Sequence, residues 1–256
     1  LEDAGDYTAA IEAYTALGDY GAATARVTAL EEKIENYKEA QLQESLKAYA
    51  LAENYYRSAD KYLDAEEKAL EMKNLQMYEQ AGQYADERKY EDAIAIYTVL
   101  SETGFSDSAS KLAEAEANQL KETDYQAAVA LKGKKQWNDA IDAFTLIEDY
   151  HDSKTQIQSC YYEIAKGQYA SGKLSEAKTS YELAGDYSDA AQKASAIALE
   201  IQYQSAAALE AEGKYDEAIV EYTALGTYSD AANRIIALQQ KIDDYKEAKQ
   251  QESLKA

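Results

Sequence analysis

The chain has 256 residues, with 26 basic against 48 acidic side chains (formal net charge −22), no proline, 11 glycines, one cysteine and one histidine. That charge argues against nucleic acid as a partner, because phosphate binding needs a basic stripe that releases counterions. No apolar run of about 18 residues is present to cross a bilayer, and one thiol makes neither an internal disulfide nor a cysteine-based metal cluster.

The predicted elements form an internal repeat. After Leu1 to Gly5, a short helix is headed by Tyr7, with Ala10, Ile11, Tyr14 and Leu17 following and Tyr20 beyond it. A long helix with Tyr37 and Ala40 comes next. A weaker short copy then carries Tyr49, Ala52 and Tyr56, with Tyr62 and Asp64-Ala65 after it. Tyr78 and Ala81 lie on the next long helix, and Tyr90, Ala93-Ile94 and Tyr97 on the next short one. A long helix with Tyr125 and Ala128 leads to Trp137, Ala140-Ile141 and Phe144. One with Tyr162 and Ala165 leads to Leu174, Ala177 and Tyr181. The clearest copy follows Tyr203 and Ala206: Gly213-Lys214-Tyr215, Ala218-Ile219, Tyr222, Leu225 and Tyr228. A closing long helix is expected over about Ser229 to Ala256.

The anchors Tyr7, Tyr49, Tyr90, Trp137, Leu174 and Tyr215 are spaced by 42, 41, 47, 37 and 41 residues. Offsets 0, +3, +7 and +10 from each anchor share one helix face. A tyrosine stands 12 residues before each of the last five anchors, with an alanine three residues after it. The unit is therefore a long first helix, a tight glycine- or lysine-rich turn and a short second helix. Small alanines let the helices approach and tyrosines fill the space around them. The pairs Ser106-Asp107, His151-Asp152, Ser188-Asp189 and Ser229-Asp230 read as helix-start signals. From the aromatic after each short helix to the next long-helix tyrosine the distances are 17, 16, 20, 12, 16 and 17. The two outliers differ from the rest by about one turn of 3.6 residues, which keeps the buried face toward the core.

The order of a small residue in the first helix, then Gly-x-aromatic-x-x-Ala-Ile-x-x-Tyr/Phe-x-x-Leu, resembles the tetratricopeptide repeat. The resemblance covers essentially the whole chain. It departs from that family in a period near 41 residues and in Tyr-x-Asp-Ala/Ser where the family has a proline. It implies an all-α solenoid of six degenerate helix-turn-helix units over residues 1–256, acting as a scaffold for proteins or peptides without catalysis.

Few residues offer chemistry. His151 fills a slot held by serine in neighbouring copies and reads as a helix-start residue; one histidine cannot build a multi-histidine metal site. Cys160, beside Tyr161 and Tyr162, reads as a small buried thiol. Of the 24 tyrosines, 20 fall on four repeat offsets, which favours packing over a peptide-gripping groove. Thr15, Thr98, Thr145 and Thr223 follow the second-helix aromatic in four copies and read as solvated filler, or as sites for an O-linked sugar in an extracellular protein. No catalytic residue, cofactor site or metal site is expected. The repetitive, cysteine-poor, acidic composition leans toward an exported or surface protein.

Two functions are compatible with this. Residues 10–48 and 218–256 align at a constant shift of 208 and agree at 24 of 39 positions, as expected for a window on a longer parent with a super-repeat. Solenoids without polar caps stack end to end, and a head-to-tail contact between copies that does not close builds a filament. The alternative is a monomeric adaptor whose concave surface holds a peptide or a basic protein.

Overall fold

Among the described residues six short helices begin on the six anchors; five long helices separate them and a sixth follows the last. In chain order they are α1 (Tyr7–Ala16), α2 (Ala23–Ser45), α3 (Tyr49–Ala59), α4 (Ala65–Asp86), α5 (Tyr90–Glu102), α6 (Ser108–Gly133), α7 (Trp137–Thr145), α8 (Ser153–Ala170), α9 (Leu174–Ala184), α10 (Ala190–Ala211), α11 (Tyr215–Leu225) and α12 (Ala231–Ser253). A single 3-10 turn, Glu2–Ala4, precedes them. The structure is a computed structural model describing residues 1–254, which contain no strand; Lys255 and Ala256, the expected end of the closing helix, lie outside the described residues.

Left-handed residues stop the helices. The residue two before each anchor (Gly5, Lys47, Arg88, Lys135, Gly172 and Gly213) has φ between 58° and 77°, a conformation through which no helix propagates. Gly5 is also required by space, because a Cβ there would stand 2.3 Å from the carbonyl oxygen of Lys61. The length variation is carried as helix: α6 has 26 residues and α8 has 18, against 22 or 23 in the other long helices.

The Ser-Asp and His-Asp pairs stand at helix starts as expected, but without a side-chain capping bond from the aspartates of α8, α10 and α12. Ser106, His151, Ser188 and Ser229 lie outside the helices, in the left-handed region at φ 52° to 55°, as does Leu63. Asp64, Asp152, Asp189 and Asp230 do occupy the N-cap position, yet their side chains make no capping bond. A tyrosine hydroxyl from the preceding long helix holds each of these carboxylates instead. By contrast Asp6 does cap α1, accepting the Ala9 amide at 3.1 Å.

Contacts divide the chain into two units, Leu1–Glu122 and Thr123–Ala256. In the first, three clusters form the core: Tyr7, Ala10 and Leu30; Tyr37, Ala40, Tyr56 and Met72 with their neighbours; and Ala81, Ala93, Tyr97 and Ala115. In the second, three more are centred on Phe144 and Cys160, on Tyr181 and Ile197, and on Tyr222 and Leu238. Most clusters join the end of one long helix, a short helix and the start of the next long helix. Alanines make that approach possible: Ala40, Ala81, Ala128, Ala165 and Ala206 are fully buried, as are Ala52, Ala93, Ala140, Ala177 and Ala218.

Candidate functional site

The recurrent polar arrangements are the first candidates. One tyrosine on each of α2, α4, α6, α8 and α10 donates its hydroxyl to the aspartate opening the next long helix: Tyr37 to Asp64 at 2.5 Å, Tyr125 to Asp152 at 2.5 Å, Tyr162 to Asp189 at 2.6 Å, and likewise Tyr78 to Asp107 and Tyr203 to Asp230. Each of these rings lies edge-on to the short-helix aromatic and to the aromatic beyond it, with centroids 5.4 to 6.3 Å apart. Burial, then the Asp64 bond, pushes Tyr37 up to about 12; for Tyr78 the Asp107 bond leads and the value is again about 12. Burial opposes ionisation of Asp152, but bonds from Tyr125, His151 and Gln156 outweigh it and hold the carboxyl at about 2. Sequence reasoning named both partners without pairing them. The available signal was their separation of 27 residues in four units and 29 in the unit of Asp107.

A second arrangement places a glutamate five residues before the anchor between the tyrosine at +7 and a cation at +19. Glu2 accepts from Tyr14 at 3.0 Å and from Arg26 at 3.1 Å. Glu44 accepts from Tyr56 and from Lys68, the latter at 3.0 Å. Glu210 accepts from Tyr222 at 3.2 Å and from Arg234 at 3.2 Å. In the unit of Phe144, which has no hydroxyl, Lys132 stands in the glutamate's place and donates to Gln156 at 2.6 Å and Ser159 at 2.8 Å.

The residues singled out from sequence fall as follows. Cys160 is fully buried and burial pushes its thiol up, which disfavours the thiolate. His151 is exposed, with Nδ1 2.9 Å from Asp152 Oδ1 and its ring centroid 5.1 Å from that of Tyr125. Thr15, Thr98, Thr145 and Thr223 are all exposed; Thr98, Thr145 and Thr223 bond the carbonyls of Ile94, Ile141 and Ile219 on their own helices. Among the described residues no group of three His, Cys, Asp or Glu is placed to hold a metal, and no helix is long and apolar enough to cross a membrane.

Among the described residues, two aromatic positions are more exposed than their equivalents in other units. Tyr37 on α2 is 7% exposed beneath Tyr56 and Tyr62, whereas Tyr245, its counterpart at shift 208 on α12, is 63% exposed. Beside α1, Tyr20 is 79% exposed and Leu17 half-exposed. No protein-family model matches this chain, and no curated protein sequence matches it.

Proposed function

We propose that this chain is a non-catalytic scaffold, a tetratricopeptide-like solenoid that works through protein–protein contacts and stacks head to tail with other copies of itself. The resemblance in residue order, the alternation of short and long helices and the packing between consecutive helices support the repeat reading. The exposed Tyr20 and Tyr245, which match two parts of a trio that recurs within the chain, support the assembly reading.

Five times within the chain, a long-helix tyrosine is clasped edge-on by a short-helix aromatic and the aromatic after it. Tyr14 and Tyr20 stand at the offsets of such a pair and Tyr245 at the offset of such a tyrosine, and Tyr20 and Tyr245 are exposed at 79% and 63%. Seating Tyr245 of one copy between Tyr14 and Tyr20 of the next completes a sixth trio. Glu252, which stands where Glu44 stands, then takes over the Tyr14–Arg26 site from Glu2. This joint is weaker than those inside the chain, because Ala22 occupies the position of the aspartate that would hold the Tyr245 hydroxyl. A contact of this kind does not close and yields filaments.

Electron microscopy and sedimentation at low and moderate salt test this, since a charge of −22 per copy opposes contact until it is screened over about 8 Å at physiological ionic strength. Salt-promoted filaments that Tyr245→Ala abolishes and Ala22→Asp strengthens are the expected result. Dispersed monomers at both salts, with no response to either substitution, would leave the adaptor reading, with a peptide or basic protein as the partner.

A further inference from the structure

The glutamate slot is filled from within the chain in three units and left open in two. Counting from the anchors Tyr90 and Leu174, the position five residues back holds Ala85 and Tyr169 instead of glutamate. The tyrosine at +7 is retained in both, as Tyr97 and Tyr181; the cation is Lys193 at +19 in one unit and Lys111, two residues later at +21, in the other. A cavity stands at each place. In the unit of Tyr97 the cation is already taken, Lys111 pairing with Glu114 at 2.9 Å, and Asp86 adds a second carboxylate to the wall.

The unit of Tyr181 is different. Its cavity, about 270 Å³, is walled by Tyr169, Tyr181, Lys193, Ile197, Glu200 and Tyr228. Tyr181 is 2% exposed, and its hydroxyl has no hydrogen-bond partner among the described residues. Lys193 has a long pairing with Asp189, at 3.6 Å, and its Nζ lies 5.8 Å from the Tyr162 ring centroid and 5.9 Å from that of Tyr181, with no carboxylate closer. The hydroxyl opens on the cavity and is not sealed in the core, so an acceptor placed in the cavity can take its proton. The acidic wall residue, Glu200, is occupied by the Tyr169 hydroxyl at 3.2 Å. It also lies two turns from Lys193 along α10, about 10 Å by the helix rise.

We propose that this cavity binds a small organic carboxylate. The carboxylate bridges the Tyr181 hydroxyl and Lys193 as Glu2, Glu44 and Glu210 bridge their tyrosine and cation elsewhere in the same chain. Its apolar body lies against the rings of Tyr169 and Tyr228 and against Ile197. The volume is just below the range of roughly 300–1,000 Å³ usual for small-molecule pockets, so the ligand has the size of a single ring or a short aliphatic acid.

Titration of the whole chain with benzoate, followed by ligand-observed NMR and calorimetry, tests the site, with benzamide as a neutral ligand of the same shape. Tyr181→Phe removes one oxygen and leaves the packing intact. It and Lys193→Gln are each expected to weaken benzoate binding at least about tenfold, the loss of a hydrogen bond to a charged group. Tyr169→Glu, which supplies the carboxylate from within the chain as the other units do, is expected to abolish binding while the helical circular dichroism is preserved. Absence of benzoate binding to the unaltered chain overturns the proposal. So does equal binding of benzamide, or undiminished binding by Tyr181→Phe and Tyr169→Glu.

Discussion

A phenol bonded to a carboxylate is lost by protonating the acid or by ionising the phenol, so the Tyr–Asp ties make this fold sensitive to pH from both sides. The tyrosine bonds hold Asp107, Asp189 and Asp230 below the usual value of 3.8. Asp152 reaches about 2, its bonds overcoming burial. Carboxyls depressed on folding stabilise above their unfolded value and cease to as pH falls through the folded one. Stability should therefore drop between about pH 4 and pH 2, and Asp152→Asn should make that drop smaller. Tyr37 and Tyr222, raised chiefly by burial, and Tyr78, raised chiefly by Asp107, all reach about 12 from 10.0. A raised group contributes its stability below pH 10 and loses it as pH climbs toward 12. Far-ultraviolet circular dichroism should show the helix signal failing in both windows, with tyrosinate absorbance rising alongside it at the alkaline end. A second residue-scale expectation concerns Lys135, exposed at φ 60°. A non-glycine residue there is strained, so Lys135→Gly should stabilise by about 0.5–1 kcal/mol in urea unfolding. These features were only partly legible in sequence. The lysine-rich turn was recognisable as a turn, but its handedness follows from the backbone path needed to set α7 against α6.

Among the elements, the alternation of short and long helices was readable because the offsets 0, +3, +7 and +10 recur from every anchor. The one-turn insertion in α6 and deletion in α8 were readable for the same reason. Recurring alanines on those faces are where the helices meet most closely. Ala177 is fully buried between α9 and its neighbours, in the cluster of Tyr181 and Ile197. Ala177→Leu adds volume that this packing cannot take without moving a helix. A loss of about 1–3 kcal/mol is expected in thermal or urea unfolding. The same change at Ala191, exposed on α10, should be nearly neutral. Sequence order placed the helix starts at the Ser-Asp and His-Asp pairs correctly, but not the bonds that the aspartates make. An aspartate before a helix is ordinarily a cap, and only the position of the preceding long helix reveals a tyrosine hydroxyl as the better donor.

For the whole molecule, the core is divided into six clusters, each built from elements adjacent in sequence. Stability is then close to a sum of local terms with nearest-neighbour coupling. Scanning calorimetry should give a calorimetric enthalpy larger than the van't Hoff enthalpy, and different probes should report different midpoints. A single transition with equal enthalpies would mean that coupling between neighbouring clusters is stronger than their separate packing implies. The sequence by itself determined the helical class, the repeat, the anchors and the faces that are buried. Periodicity and small-residue placement are local properties that every unit restates. Only the tertiary structure decided which polar groups meet. The Tyr–Asp ties, the glutamate held between tyrosine and cation, and the open slot beside Tyr181 join residues from two or three helices. No single helix carries that information, because a hydrogen bond exists only once packing has set donor and acceptor within about 3 Å of each other.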